Sequence, residues 1–170
     1  MGITLGDVTS VLAFVAAIGF SIWSSTLLSA LLFHEKAKRA QRLLQSAPGR
    51  TMASGLVWGF ITIGLSVAFA SQPLPIAKLI GFAGIGLTLL LASIGWAGLA
   101  FAAQERITTL DNQFSPLVGL VKCATWITLA AITPVLGWML VGPVLLVAGI
   151  GAGWNSIFSG RAPAPASTEV

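Results

Sequence analysis

Few residues in this chain are chemically equipped for catalysis or metal binding. The 170 residues hold one histidine, one cysteine and five acids. His34 invites a metal or proton-relay role, but metal ligands come in clusters and no second histidine exists, so it reads as an interfacial histidine. Glu105 and Asp111 are the carboxylates of one polar stretch, QERITTLDNQFSP. A general acid–base pair or a metal site would need a His or Cys beside them, and none is near, so they read as a solvated connector. Gly84 and Gly86 lack the strand before them and the Lys-Ser/Thr after them that a phosphate loop requires. Gly149, Gly151 and Gly153 (GIGAG) sit inside apolar sequence, where a nucleotide loop is out of place. Cys123 follows Lys122 and reads as a small buried thiol rather than a palmitoylation site. These residues predict no catalytic centre, no metal and no cofactor, and they make an enzyme the least favoured class.

The one dense charge cluster is basic. Lys36, Lys38, Arg39, Arg42 and Arg50 stand against a single acid, Glu35, between two apolar runs. The chain carries a net charge of +4, yet this is not a nucleic-acid pattern, because the cations gather in one segment beside a membrane span. Anionic lipid head groups are the partner that such a segment suits, at about 1 kcal/mol per basic residue near the surface. A membrane-protein partner is the other occupant expected for this face.

The elements that must hold these residues follow from composition. Apolar residues are 56% of the chain and charged residues 8%, with a mean hydropathy of +0.93. A soluble domain carries roughly 25% charged residues. Apolar runs reach the roughly 20 residues needed to cross a bilayer. The expectation is an all-α, polytopic helical bundle in the membrane, a single domain over 1–158 with four or five transmembrane helices. Spans are predicted at about 8–33, 51–70, 76–103, 117–133 and 138–155, where 17–25 residues suffice to cross. The last two form a short hairpin linked by Pro134 and Gly137, and the end of the chain, 159–170, is a Pro/Ala-rich tail.

Local signals refine this order. The first helix is expected to continue through HEKAKRAQRLLQ for two or three turns beyond the bilayer, with Leu43 and Leu44 touching the interface. Pro48 and Gly49 then end it. Trp23 lies inside the first span, so either it packs on a neighbouring helix or that span is shorter than drawn. Gly55 and Gly59 have the small-xxx-small spacing of a close helix contact, and Gly149 and Gly153 repeat it near the end of the chain. The prolines of SQPLP (71–75) force a tight turn. Pro143 in the last span is tolerable where a local adjustment takes up the lost hydrogen bond. The positive-inside rule places residues 34–50 in the cytoplasm and the N-terminus outside. With five crossings Arg106, Lys122 and Arg161 share the cytoplasmic side, and Lys78 alone is the exception.

Pro48, Gly49, Arg50, Gly55 and Gly59, then Pro116 and Gly119, then Pro134, Gly137, Trp138, Gly149 and Gly151 form a pattern across most of the chain. This pattern, with "PLVGLV" and "TPVLGWMLVGPVLLVAGIGAG", resembles the small membrane domain associated with bactofilins, the polymer-forming cytoskeletal proteins of bacteria. The resemblance implies a bacterial inner-membrane module of unassigned function, often a membrane partner of a filament. The chain departs from the filament-forming members in lacking a valine- and glycine-rich β-helical domain.

The function expected on these grounds is a non-catalytic membrane scaffold or accessory subunit that packs on other membrane proteins through glycine-rich helix faces. No Asp, Glu, Arg or His lies deep in a span, whereas transporters and pumps place such groups there. The alternative is a small homo-oligomeric channel or transporter-like pore, lined by Ser21, Ser24, Ser25, Thr62, Ser66 and Ser93.

Overall fold

The computed structural model describes residues 5–110, 115–133, 135 and 137–158. The expectations placed on Asp111, Pro134, Arg161 and the tail lie outside the described residues. The protein is all-α: α1 (Leu5–Leu32), α2 (His34–Ser46), α3 (Pro48–Ala70), α4 (Pro75–Leu110), α5 (Pro116–Ile132), a π-turn (Gly137–Val141) and α6 (Gly142–Phe158). No strand occurs among the described residues. Four helical runs are long and apolar enough to cross a membrane: Gly6–Leu32, Pro48–Ala70, Pro75–Thr108 and Gly137–Phe158. The apolar helix α5 is shorter, at 17 residues. This is the architecture of an integral membrane protein, since only closed barrels and helices satisfy their backbone groups in lipid.

Prolines and one aromatic residue set the joints. α1 does not run unbroken into α2. Phe33 takes φ −112°, ψ 38°, although Phe33 N still donates to Ser29 O and Ala37 N to Phe33 O at 2.9 and 2.8 Å. α2 ends at Ala47 (φ −147°, ψ 67°), because the Pro48 ring disfavours helical backbone at the residue before it. Pro48 then opens α3, where its missing N–H is harmless. Pro75 opens α4 in the same way.

α4 extends beyond its expected end at Ala103 and continues to Leu110. Its 36 residues make a rod of about 54 Å, longer than a bilayer core of about 30 Å. The polar sequence from Gln104, expected as a connector, is helical as far as Leu110. It is helical because α2 lies beside it and supplies partners for its polar side chains. The final helical run is also longer than expected, Gly137–Phe158, because a π-turn adds to its start. Pro143 cannot donate to the carbonyl four residues back, and its ring crowds that carbonyl, so the backbone widens by one residue.

The joint before that π-turn holds Val135 at φ 66° with its side chain 73% exposed. A β-branched residue in the left-handed region is strained by about 1–2 kcal/mol. Val135→Gly is expected to stabilise the protein by about 1 kcal/mol, read as a higher midpoint in a denaturant titration in detergent. A lowered midpoint counts against a left-handed Val135.

α4 and α6 are the inner helices, each burying 39% of its apolar window, against 11% for α1. A helix pair in lipid gains little from apolar contact alone, so close backbone approach and hydrogen bonds hold it. Both devices appear here. Gly55 of α3 faces Gly151 of α6: a Cβ on Gly151 would stand 2.8 Å from the Gly55 nitrogen and 2.9 Å from its Cα. Gly95 of α4 likewise faces Gly149 of α6. Gly81 and Gly84 of α4 lie on Ser66 and Ala70 of α3, closing the α3–α4 hairpin. Ser29 of α1 and Ser93 of α4 share a buried hydrogen bond of 2.8 Å. Trp23 of α1 donates to Thr125 Oγ1 of α5 at 3.1 Å, so its place within the first span is explained by helix packing. Trp96 of α4 donates to the Leu145 carbonyl of α6 at 2.7 Å. A core of Ala30, Ala37, Ala97, Ala100 and Leu120 fills the space between α1, α2, α4 and α5.

Candidate lipid and partner contact surface

The basic segment is an amphipathic helix docked on its own chain. Successive residues turn by about 100°, so Ala37, Ala40 and Leu44 of α2 share one face, and Glu35, Lys38, Arg39 and Arg42 the opposite one. Ala37 and Ala40 are fully buried. They fit against Gly98 of α4, where an added Cβ would lie 2.8 Å from Ala40 Cβ and 3.0 Å from the Ala37 carbonyl oxygen. α2 also packs on α6. Its apolar face is therefore spent on helices rather than laid on lipid, and Leu43 and Leu44 are half-buried. Lys38, Arg42 and Arg50 are exposed, whereas Lys36 and Arg39 are half-buried.

A second set of contacts fixes α2 in register. The Gln41 and Gln45 side-chain amides both donate to Glu105 Oε2 of α4, at 2.7 and 2.8 Å. Glu105 is thus a structural acceptor on a helix, not a loop carboxylate. Its exposure limits the effect: Glu105→Ala is expected to cost about 1 kcal/mol, read as faster amide exchange in α2 with the spanning helices unchanged. Unchanged exchange would show that the two glutamines do not anchor α2. His34 stacks edge-on against Phe101 of α4, ring centroids 5.2 Å apart. At the α2–α3 joint the Thr51 hydroxyl donates to the carbonyls of Leu43 and Ala47, at 3.2 and 3.0 Å.

The glycines singled out for packing sit as follows. Gly55 and Gly59 of α3 are buried against α6, with Ile150 Cδ1 at 3.3 Å from a Cβ placed on Gly59. Gly149 and Gly153 of α6 are buried against α4 at Ala92, Trp96 and Leu91. Gly64 and Gly86 instead have open space beside them. The hydroxyls proposed for a pore do not share a face: Ser93 is buried on Ser29, and Ser66 lies under Gly84.

Sequence reading did not anticipate an aromatic row across α3 and α6. Trp58 and Trp154 stack with centroids 4.1 Å apart and planes at 20°. Phe158 continues the row, 4.3 Å from Trp154. Beside it, Asn155 Nδ2 donates to Ser54 Oγ at 2.7 Å. The sequence holds no local signal for this row, because Trp58 and Trp154 are 96 residues apart and only the crossing of α3 and α6 brings them together. The two helices run antiparallel, with Gly59 on Ile150 and Gly55 on Gly151, so the indoles flank the glycine crossing from opposite sides and reach across it to stack.

Elsewhere, an apolar crevice of about 570 Å³ lies between α1, α4, α5 and the start of α6, walled by Ile22, Trp96, Ile127 and Trp138. Among the described residues, no charged side chain lines it. Cys123 is buried in α5, 2% exposed. Among the described residues, no three His, Cys, Asp or Glu side chains gather as metal ligands would. Comparison of the chain with protein-family models, with curated proteins and with solved structures yields no match.

Proposed function

We propose that this chain is a non-catalytic scaffold or accessory subunit of a bacterial inner membrane, with α2 in the cytoplasm and the N-terminus outside. The observation that carries the reading is the placement of charge. α1 has one acid in its first turn, α3 has Arg50 in its first turn, α4 has Lys78 in its first turn and Glu105 and Arg106 near its end, α5 has Lys122, and α6 has no charge at all. Five of the nine Lys and Arg gather on α2 and at the start of α3, with Lys38, Arg42 and Arg50 exposed, where anionic head groups or an acidic partner segment would meet them. The orientation follows from the excess of Lys and Arg in this segment. Because Gly55, Gly59, Gly149 and Gly153 are covered by the chain's own helices, the partner contact is assigned to the outer faces of α3 and α4 around Gly64 and Gly86. The bactofilin resemblance makes a membrane-anchored filament the partner to examine first. The pore reading is weaker, since two of its six hydroxyls are inside helix contacts.

The test is extraction of the tagged full chain from native membranes in mild detergent, followed by native mass spectrometry. Co-migration with a larger assembly in fixed ratio is the expected result. A bare homo-oligomer would move the weight to a pore, and a lone monomer would sink the accessory-subunit reading.

A further inference from the structure

We propose that the α3–α6 aromatic row and Arg50 form a site for one anionic phospholipid, bound individually rather than drawn in by the general field of the basic segment. The proposal rests on the reading of α2 and Arg50 as a head-group-facing edge, and it names a specific site within it.

Three observations carry it. Arg50 is the one charged residue in α3, and α6 has none, so a single cation stands over an otherwise neutral helix pair. Arg50, Ser54 and Trp58 recur every four residues and so form one stripe along α3. Arg50 and Trp58 are about 12 Å apart along the axis, which spans from the phosphate level to the upper acyl region. Finally, the aromatic wall is already built. Trp58 stacks on Trp154 and Trp154 on Phe158, and the Asn155–Ser54 hydrogen bond locks the two helices beside them. Phe158 is 61% exposed and both indoles are half-buried, so the wall presents flat surface outward. A guanidinium above a rigid aromatic surface matches a phosphodiester above its acyl chains. The exposed guanidinium supplies paired donors to phosphate oxygens, and the preformed stack orders the chains at little entropic cost.

The occupant is a phospholipid with net negative charge: Arg50 is the one charged side chain of α3 and α6, so the charge it leaves unbalanced suits a head group whose phosphate carries no cation of its own. The test is native mass spectrometry of the full chain in detergent, titrated with phosphatidylglycerol and, separately, phosphatidylcholine. One phosphatidylglycerol is expected to be retained in preference to phosphatidylcholine. Arg50→Gln is expected to weaken that retention about tenfold or more. Lys38→Gln with Arg42→Gln, which touches only the field of α2, is expected to leave the tight lipid in place. Arg50 is exposed, so R50Q does not disturb the core, and Trp154→Phe, which keeps a ring in the row, gives an intermediate loss. Retention of phosphatidylglycerol by R50Q at wild-type strength overturns the site. So does an equal loss in the α2 double variant, which would make the attraction diffuse. A site that passes while the chain purifies alone leaves the lipid assignment standing and removes the accessory-subunit reading.

Discussion

Gly151→Leu is expected to abolish the crossing of α3 and α6 and, with it, the folded bundle. The atoms that a side chain on Gly151 would meet are backbone: the Thr51 carbonyl, the Gly55 nitrogen at 2.8 Å and Gly55 Cα at 2.9 Å. Backbone inside a helix cannot rotate aside as a side-chain end can, so the two helices must separate. Separation also breaks the Asn155–Ser54 hydrogen bond and the Trp58–Trp154 stack, which depend on the same approach. Even Gly151→Ala is expected to cost about 2–3 kcal/mol, the upper range for overpacking, and leucine more than about 4 kcal/mol. The checks are the thermal midpoint in detergent and near-ultraviolet circular dichroism, where stacked indoles couple. Gly64→Ala and Gly86→Ala are the controls. Both glycines have open space beside them, so alanine should be neutral or stabilise by up to about 1 kcal/mol through helix propensity. Should Gly151→Ala be as harmless as Gly86→Ala, the glycine crossing is not what holds α6.

The second large effect is expected at Gly98, and it is local. A side chain there would meet Ala40 Cβ at 2.8 Å, the Gln41 nitrogen at 2.9 Å and the Ala37 carbonyl oxygen at 3.0 Å. Gly98→Leu should therefore lift α2 off α4, at a cost of about 3 kcal/mol. The spanning helices stay, because lipid forces each to keep its own backbone bonds. Amide exchange measured across the chain separates the cases. Protection in α2 should fall about a hundredfold, the equivalent of that free energy, with α3 and α4 little changed. The same measurement on Glu105→Ala should give a smaller change in the same helix. Loss of protection throughout the protein would instead make α2 part of the cooperative core rather than a docked element.

How much of this was legible beforehand depended on whether a feature is local. The helical class and the broad order of spans were readable because a bilayer leaves the backbone only helices and closed barrels, and continuous apolar runs of about 20 residues mark helices rather than the short alternating strands of a barrel. The turns at Pro48 and Pro75 were readable because proline constrains its own residue and the one before it. Gly55 and Gly59 could be picked out as a small face, since spacing alone defines one. The partner of that face could not be read, because any close-packing neighbour would satisfy the same pattern.

The sequence by itself determined membrane residence, helical class, the turn positions and the clustering of cations on one segment. Each depends on a residue and its near neighbours along the chain. Only the tertiary structure decided that Gly55 meets Gly151, that the basic helix docks on Gly98, and that Glu105 receives two glutamines from a segment 60 and 64 residues away. It alone extended α4 through the polar stretch, since a neighbouring helix supplies there the partners that solvent supplies to a loop. It alone brought Trp58 and Trp154 into one stack. In lipid, apolar faces do not choose between protein and solvent, so the pairing of helices is set by shape and a few hydrogen bonds, and those exist only once the helices have met.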